Sequence, residues 1–280
     1  MKDLKGATAI VTGASRGIGP YIARTLAARG ANVALAARNA SQLDETRRAC
    51  ESSGVRAIAI ATDVTSMDDL RRLVDTVEHE FGPIDVLVNN AGIEITASVD
   101  GHSAGQVDDI VRTNLNAPIQ LTKLVLPSML ARKRGAIVNV SSLAGKSATP
   151  YNAIYSATKH GLNGFTSSLA IELDGTGVTA GVVCPGFVAD AGMWADTGKK
   201  APRMMREVAP QRVADAVIKV IGGSSEVLVA PGPIRPLFAL AALFPGLTKI
   251  ATKRLGVLDA MKGRAIDLQA AARKESAAAK

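Results

Sequence analysis

Seven short apolar runs recur along the first 230 residues: Ala7–Thr12, Asn32–Ala37, Arg56–Ala61, Asp85–Asn89, Ala136–Ser141, Val178–Val183 and Glu226–Ala230. Their apolar residues are continuous rather than alternating with polar ones, the pattern of strands covered on both faces. Helical periodicity fills the intervals. The stretch Ser41–Gly54 opens on a Ser cap and closes on glycine, and Thr65–Gly82 opens on Thr65/Ser66 with acids in its first turn. Strands alternating with helices predict one α/β domain, a Rossmann-type doubly wound parallel sheet of seven strands over residues 1–230. Such a sheet binds its ligand beyond the carboxyl ends of the strands, so the residues just after each run matter most.

After the first run comes Thr12-Gly-Ala-Ser-Arg-Gly-Ile-Gly19-Pro20. Gly13, Gly17 and Gly19 permit a tight turn and close approach to a phosphate at a helix N-terminus, and Pro20 falls in the first helical turn, where a missing N–H is harmless. The second run ends in Ala37-Arg38. A carboxylate at that point grips the ribose hydroxyls of NAD, whereas a guanidinium favours a 2′-phosphate. With Arg16 in the glycine turn as a second cation, the pattern predicts NADP(H) in preference to NAD(H).

Further along, Tyr155 and Lys159 stand four apart, so on a helix they share a face. An ammonium beside a phenol, together with the positive oxidised nicotinamide, favours the phenolate and lowers the tyrosine pKa from about 10.

The chain resembles the short-chain dehydrogenase/reductase family over about residues 5 to 230. Thr12–Gly19, Asp63, Asn89-Asn90-Ala91-Gly92, Asn114, Ser142, Tyr155-x-x-x-Lys159 and Pro185-Gly186 stand in the family's order and spacing. The resemblance implies that Tyr155 exchanges a proton with the substrate oxygen and that Ser142 positions that oxygen. Lys159 would hold the nicotinamide ribose, and Asn114 would sustain a water relay. Gly13, Ser15, Arg16, Gly17, Ile18 and Gly19 would face the cofactor from the first turn, with Arg38, Asp63 and Val64 at its adenosine end. Asn90, Ala91, Gly92, Tyr155, Lys159, Pro185, Gly186 and Val188 would complete the cofactor site. Where many relatives carry a threonine after Pro-Gly, this chain has Asp190, which puts that hydroxyl contact in doubt. A substrate lid is expected over about 187–210, with Phe187, Met193 and Trp194 as pocket residues. Tyr151, read as one helical turn before Tyr155, is assigned to the pocket wall.

The chain departs from that pattern at 231–280, a basic, partly apolar and helical extension similar to that of some retinol- and steroid-type members. It holds nine of the basic residues but three of the acidic ones, and so six of the net +8 charges. The body is nearly neutral, which argues against a nucleic-acid groove. The apolar segment Leu237–Leu247 is too short to span a bilayer and is interrupted by Pro245-Gly246. Its expected roles are subunit or core packing, cover for the active site, or peripheral membrane contact. The final residues, from Leu268, read as a fraying polar helix or disorder. Cys50 and Cys184 are far apart and read as reduced core residues, and no apolar run near Met1 suggests a secretory signal, so a cytoplasmic homo-oligomer (dimer or tetramer) without metal is expected.

These features predict hydride transfer between NADP(H) and a carbonyl or secondary alcohol of a hydrophobic small molecule. A 3-oxoacyl carrier-protein reductase is the alternative, with Lys199, Lys200, Arg203 and Arg206 as a basic landing surface. A non-catalytic NADP(H)-sensing regulator is the rival from another class; it would not need the tyrosine and lysine.

Overall fold

The computed structural model describes residues 3–197, 201, 206–254 and 256–278. Seven parallel strands form one sheet: β1 (Thr8–Thr12), β2 (Asn32–Ala37), β3 (Ala57–Ala61), β4 (Val86–Asn89), β5 (Gly135–Val140), β6 (Val178–Pro185) and β7 (Glu226–Val229). Their order is β3-β2-β1-β4-β5-β6-β7. The chain reverses direction across the sheet between β1 and β4, which opens a crevice at their carboxyl ends. Every residue of β1, β4 and β5 is buried, as their uninterrupted apolar character requires.

Helices α1 (Gly19–Ala27), α2 (Ala40–Glu51) and α7 (Pro210–Ile221) cover one face through Ile22, Leu26, Leu43, Val213 and Val217. The other face is covered by α3 (Met67–Phe81), α5 (Ala117–Ala131) and α6 (Ala153–Glu172), through Leu70, Leu73, Leu121, Val125 and Leu169. A shorter α4 (Ala104–Val111) runs into α5 through a π-turn at Arg112–Asn116.

The cap of α3 is Ser66, whose side chain accepts from the Asp69 N–H. The cap of α2 differs from the sequence expectation. It is Asn39, which accepts from the Gln42 N–H, while the Ser41 hydroxyl donates to the Asn39 side chain. The carboxamide reaches the free amide and the serine lies two residues too far inside the turn.

Three more helices follow the sheet: α8 (Arg235–Leu243), α9 (Pro245–Arg254) and α10 (Val257–Ala278). The chain end expected to fray is thus continuous helix through Ala278. Val257 and Met261 of α10 pack against Trp194, with Tyr151, Phe187 and Ala201 around them, so the extension closes over one end of the crevice. Among the described residues no helix is long and apolar enough to cross a membrane.

Candidate active site

One cleft of about 1380 Å³ runs along the carboxyl ends of the strands. Single-ligand pockets span about 300–1,000 Å³, so this one has room for a dinucleotide and a second molecule.

Its floor begins at the turn between β1 and α1. Gly13 and Gly17 both have φ of +65°, the left-handed region that glycine enters without strain. Space is as limiting as torsion. A Cβ on Gly13 would stand 2.8 Å from Ala91 Cα, and one on Gly19 would stand 2.1 Å from the Gly13 carbonyl oxygen. Asn90 ties the neighbouring loop to this turn, its Nδ2 donating to the Thr12 carbonyl at 2.9 Å. The turn delivers the first N–H groups of α1 to the cleft, where an anion can receive them.

These residues fit a phosphate-bearing dinucleotide. Ser15, Arg16, Ile18, Arg38, Asp63 and Val64 all lie on the cleft, as do Asn90, Ala91, Gly92, Pro185, Gly186 and Val188. Gly19 lies behind it and serves packing. Arg16 does not simply point at the ligand space. It is ion-paired with Asp196, in the segment expected to form a lid, at 3.0 Å, both side chains exposed. Arg38 is exposed at the end of β2.

Ser142 follows β5, and its Oγ accepts from the Ala144 N–H at 3.1 Å. Neighbouring Ser141 is engaged with the backbone, donating to the Lys159 carbonyl, and Ser142 is the serine on Tyr155. Tyr155 and Lys159 share the buried face of α6, with the Lys159 Nζ 5.5 Å from the Tyr155 ring centroid and 3.0 Å from the Val140 carbonyl it donates to.

Electrostatics here depart from expectation. Burial, reinforced by the Glu94 carboxylate, pushes the Tyr155 phenol well above its ordinary value, and Ser142 and Arg264 oppose this only in part. The groups that govern the phenol in the chain's own environment are burial, Glu94, Ser142 and Arg264, and Lys159 is not among them. Burial also lowers Lys159 to about 8.

Two expected site residues stand behind the cleft rather than on its lining. Asn114, in the π-turn, is fully buried and off the cleft; its Oδ1 accepts from the Ile93 N–H and its Nδ2 donates to the Ile93 carbonyl, each at 2.8 Å. It clamps the loop after β4. Tyr151 is not on the stripe of Tyr155: α6 begins at Ala153, and Tyr151 precedes it with φ of +61°. It packs behind the cleft against the Trp194 cluster and does not line the pocket.

Phe187, Met193 and Trp194 do line it, with the Phe187 and Trp194 rings 4.5 Å apart. Asp190 is exposed at φ of +57° and lies off the cleft. Arg206 is on the cleft rim, whereas Lys199, Lys200 and Arg203 fall outside the described residues.

Sequence reasoning missed Glu94, Asn152 and Arg264, all of which line the cleft. Glu94 had a local signal, a carboxylate two residues past Gly92 in an otherwise apolar and polar-neutral loop. Arg264 had none. Cys50 and Cys184 are free, buried, and raised by that burial to about 11 and about 12, so neither is a nucleophile. Among the described residues no His, Cys, Asp and Glu cluster could hold a metal.

Comparison with known proteins agrees with this architecture. A family model described as short chain dehydrogenase matches residues 7–202. A ketoacyl reductase, HetN, of Nostoc sp. is 42% identical over 271 residues, covering 95% of this chain and 94% of its own. That alignment therefore takes in most of the extension. Gluconate 5-dehydrogenase of Gluconobacter oxydans is 40% identical over 67% of this chain and 73% of its own. Among solved structures, a point variant of actinorhodin polyketide ketoreductase with NADPH superposes with a TM-score of 0.74 at 36% identity, over 81% of this chain and 96% of that one. The turn, the serine, the Tyr–Lys pair and the sheet order thus coincide with a matching family model across most of the sheet, and the chain belongs to the short-chain dehydrogenase family.

Proposed function

We propose that the chain is an NADP(H)-dependent oxidoreductase that reduces a carbonyl group on a hydrophobic small molecule to a secondary alcohol. The observation that carries this reading is the placement of Ser142, Tyr155 and Lys159 on one wall of a cleft whose other end is a glycine-lined, arginine-flanked anion cradle.

Gly13, Ser15, Gly17 and the first turn of α1 would hold the pyrophosphate, and Arg38 and Arg16 the 2′-phosphate. When bound, NADPH supplies the hydride. The chain's own residues do the rest. Ser142 Oγ donates to the substrate carbonyl oxygen and fixes it beside Tyr155. The Tyr155 phenol, held protonated by burial and Glu94, gives its proton to that oxygen as negative charge develops. That bias suits reduction better than oxidation. Lys159 would bind the nicotinamide ribose, and Asn114 would keep the Ile93 loop in register beside the water relay that the family resemblance implies for it.

The name of the Nostoc relative favours a second reading, a 3-oxoacyl thioester as substrate. Arg206 on the cleft rim is its remaining visible support. We also read the protein as a cytoplasmic homo-oligomer: the two free thiols suit a reducing compartment, and Val111 and Leu130 are exposed apolar positions on α4 and α5. Peripheral membrane contact has in its favour the exposed apolar residues of α8 and α9 together with the basic residues of α9.

The test is NADPH against NADH oxidation over aliphatic ketones, steroids, retinal and 3-oxoacyl thioesters. NADPH consumption with at least one carbonyl class is expected. No turnover on any of them, with NADPH bound, would leave the regulator reading.

A further inference from the structure

A buried guanidinium reaches the Tyr155 pocket from the far end of the chain. Arg264 on α10 is only 7% exposed. Its Nη1 donates to Glu94 Oε1 at 2.7 Å and its Nη2 donates to the Met193 carbonyl at 3.2 Å. The guanidinium also stands 5.8 Å from the Trp194 ring centroid. Its Nε, like Asn152 Oδ1, is buried with no partner. Glu94 in turn accepts from Asn152 and Thr96. One side chain therefore joins three separate pieces: the loop after β4, the lid, and the terminal helix.

Stability alone is a poor reason for such a pair. Removing two ions from water costs several kcal/mol each in effective terms, and an apolar replacement is often as good. What the pair supplies is direction, since a planar fork meets a carboxylate and a carbonyl only in one orientation. The result fixes α10 above the cleft. On the underside of this roof, Leu237 and Ala241 of α8 and Val257 and Met261 of α10 line the same cavity as Tyr155. The cavity thus has a polar end at Tyr155, Glu94 and Arg264 and an apolar end beneath α8 and α10.

We propose that Arg264 is a specificity-determining positioning residue: through Glu94 and Met193 it holds α10 closed, so that a substrate with its carbonyl at Tyr155 buries an unbranched alkyl or acyl tail under the C-terminal helices. The placement of the carbonyl rests on the function proposed above; the burial of the tail does not.

Trp194 is the chain's single tryptophan, so its emission reports on this roof directly. The enzyme loaded with NADP⁺ is titrated with methyl ketones from 2-butanone to 2-decanone, following that emission. In the wild type the dissociation constant falls about fourfold for each methylene added, the increment for full burial. In Arg264→Met, and in Glu94→Gln/Arg264→Met where no lone charge is left buried, Trp194 emission shifts to the red and acrylamide quenches it more. The increment then drops below about twofold per methylene, as expected for a tail left in water. Arg264→Lys, which keeps the charge but not the second arm to Met193, falls between. Unchanged NADP⁺ affinity shows that each variant is folded. Wild-type emission and increment in both Met variants would overturn the proposal, as would a wild type indifferent to chain length. Binding with the full increment but no NADPH turnover would support the tail site while ending the oxidoreductase reading.

Discussion

The glycine turn at Gly13–Gly19 and the helices α8 to α10 border the same cleft from opposite sides, and they are held in different ways. At the turn, backbone presses on backbone: the approach of Gly19 to Gly13 leaves no room for a methyl group. The strand feeding it is wholly buried. The roof, among the described residues, is held at few points. No residue of α8 is buried, and Leu243 and Phe244 are 74% and 57% exposed. Val257, Met261, Ala265 and Arg264 of α10 supply its buried anchorage. A turn that must meet one invariant ligand gains from rigidity, because preorganisation removes the cost of ordering on binding. A roof over a variable tail gains from few, directional anchors.

The largest effect expected is at the proposed catalytic wall between them. Tyr155→Phe removes the proton donor and lowers kcat by about 10²–10⁴-fold, while the NADPH dissociation constant moves by less than about twofold because the ring is kept. Steady-state rates and a fluorescence titration give both numbers. A Phe variant at the wild-type rate would remove Tyr155 from the chemistry.

Next comes the turn. Gly19→Ala drives a Cβ to 2.1 Å from the Gly13 carbonyl oxygen and 2.8 Å from Ala14 Cα, both backbone atoms that cannot swing aside. A loss of about 2–3 kcal/mol is expected, lowering Tm by about 4–12 °C for a chain this size. NADPH affinity falls with it. A variant of wild-type Tm would mean that the turn is looser than its geometry implies.

The same contrast explains what could be read from the chain beforehand. The floor was legible because its determinants are local: the glycine spacing needs a strand before it and a helix after it, and both lie within a dozen residues. The strands were legible because burial on two faces leaves continuous apolar runs. Tyr151 was misplaced for a local reason too, since a helical period extrapolated one turn backwards could not reveal a left-handed residue before Ala153. Asn114 was found by resemblance, but its role as a clamp on Ile93 depends on a loop 21 residues away. Arg264 meets Glu94 across 170 residues. No periodicity encodes such a contact, so the extension read only as basic and apolar.

Between floor and roof lies Lys159, whose pH response has two opposite signs. Burial sets its folded pKa at about 8, against about 10.4 in an unfolded chain. As pH rises through 8 the folded protein loses this proton first, so the unfolded state binds more protons between about pH 8 and 10. Stability contributed by this group therefore rises over that window, and the penalty for burying the ammonium applies in full below it. Capture of NADPH should go the other way, weakening above pH 8 as the cation proposed to face the ribose is lost. Thermal denaturation and NADPH titration at pH 6.5 to 9.5 test both. In Lys159→Met both slopes should flatten; NADPH affinity that stays level across pH 8 in the wild type would show that the lysine is not the ribose contact.

The smallest effect belongs to the outer face of the roof. Leu243 ends α8 with most of its surface in solvent, so Leu243→Asn removes little burial and leaves no polar group unpaired. Stability should change by less than about 0.5 kcal/mol, with NADPH affinity unaltered. The substitution is informative because neutrality is what a free surface predicts. If Leu243→Asn lowers Tm by several degrees, or changes the sedimentation coefficient, that face is covered in solution by a second copy of the chain. If it abolishes co-sedimentation with anionic vesicles that the wild type shows, the face lies on a lipid surface, with Lys249, Lys253 and Arg254 of α9 beside the headgroups. In either case the few anchors of α10 would not be the whole of what holds the roof.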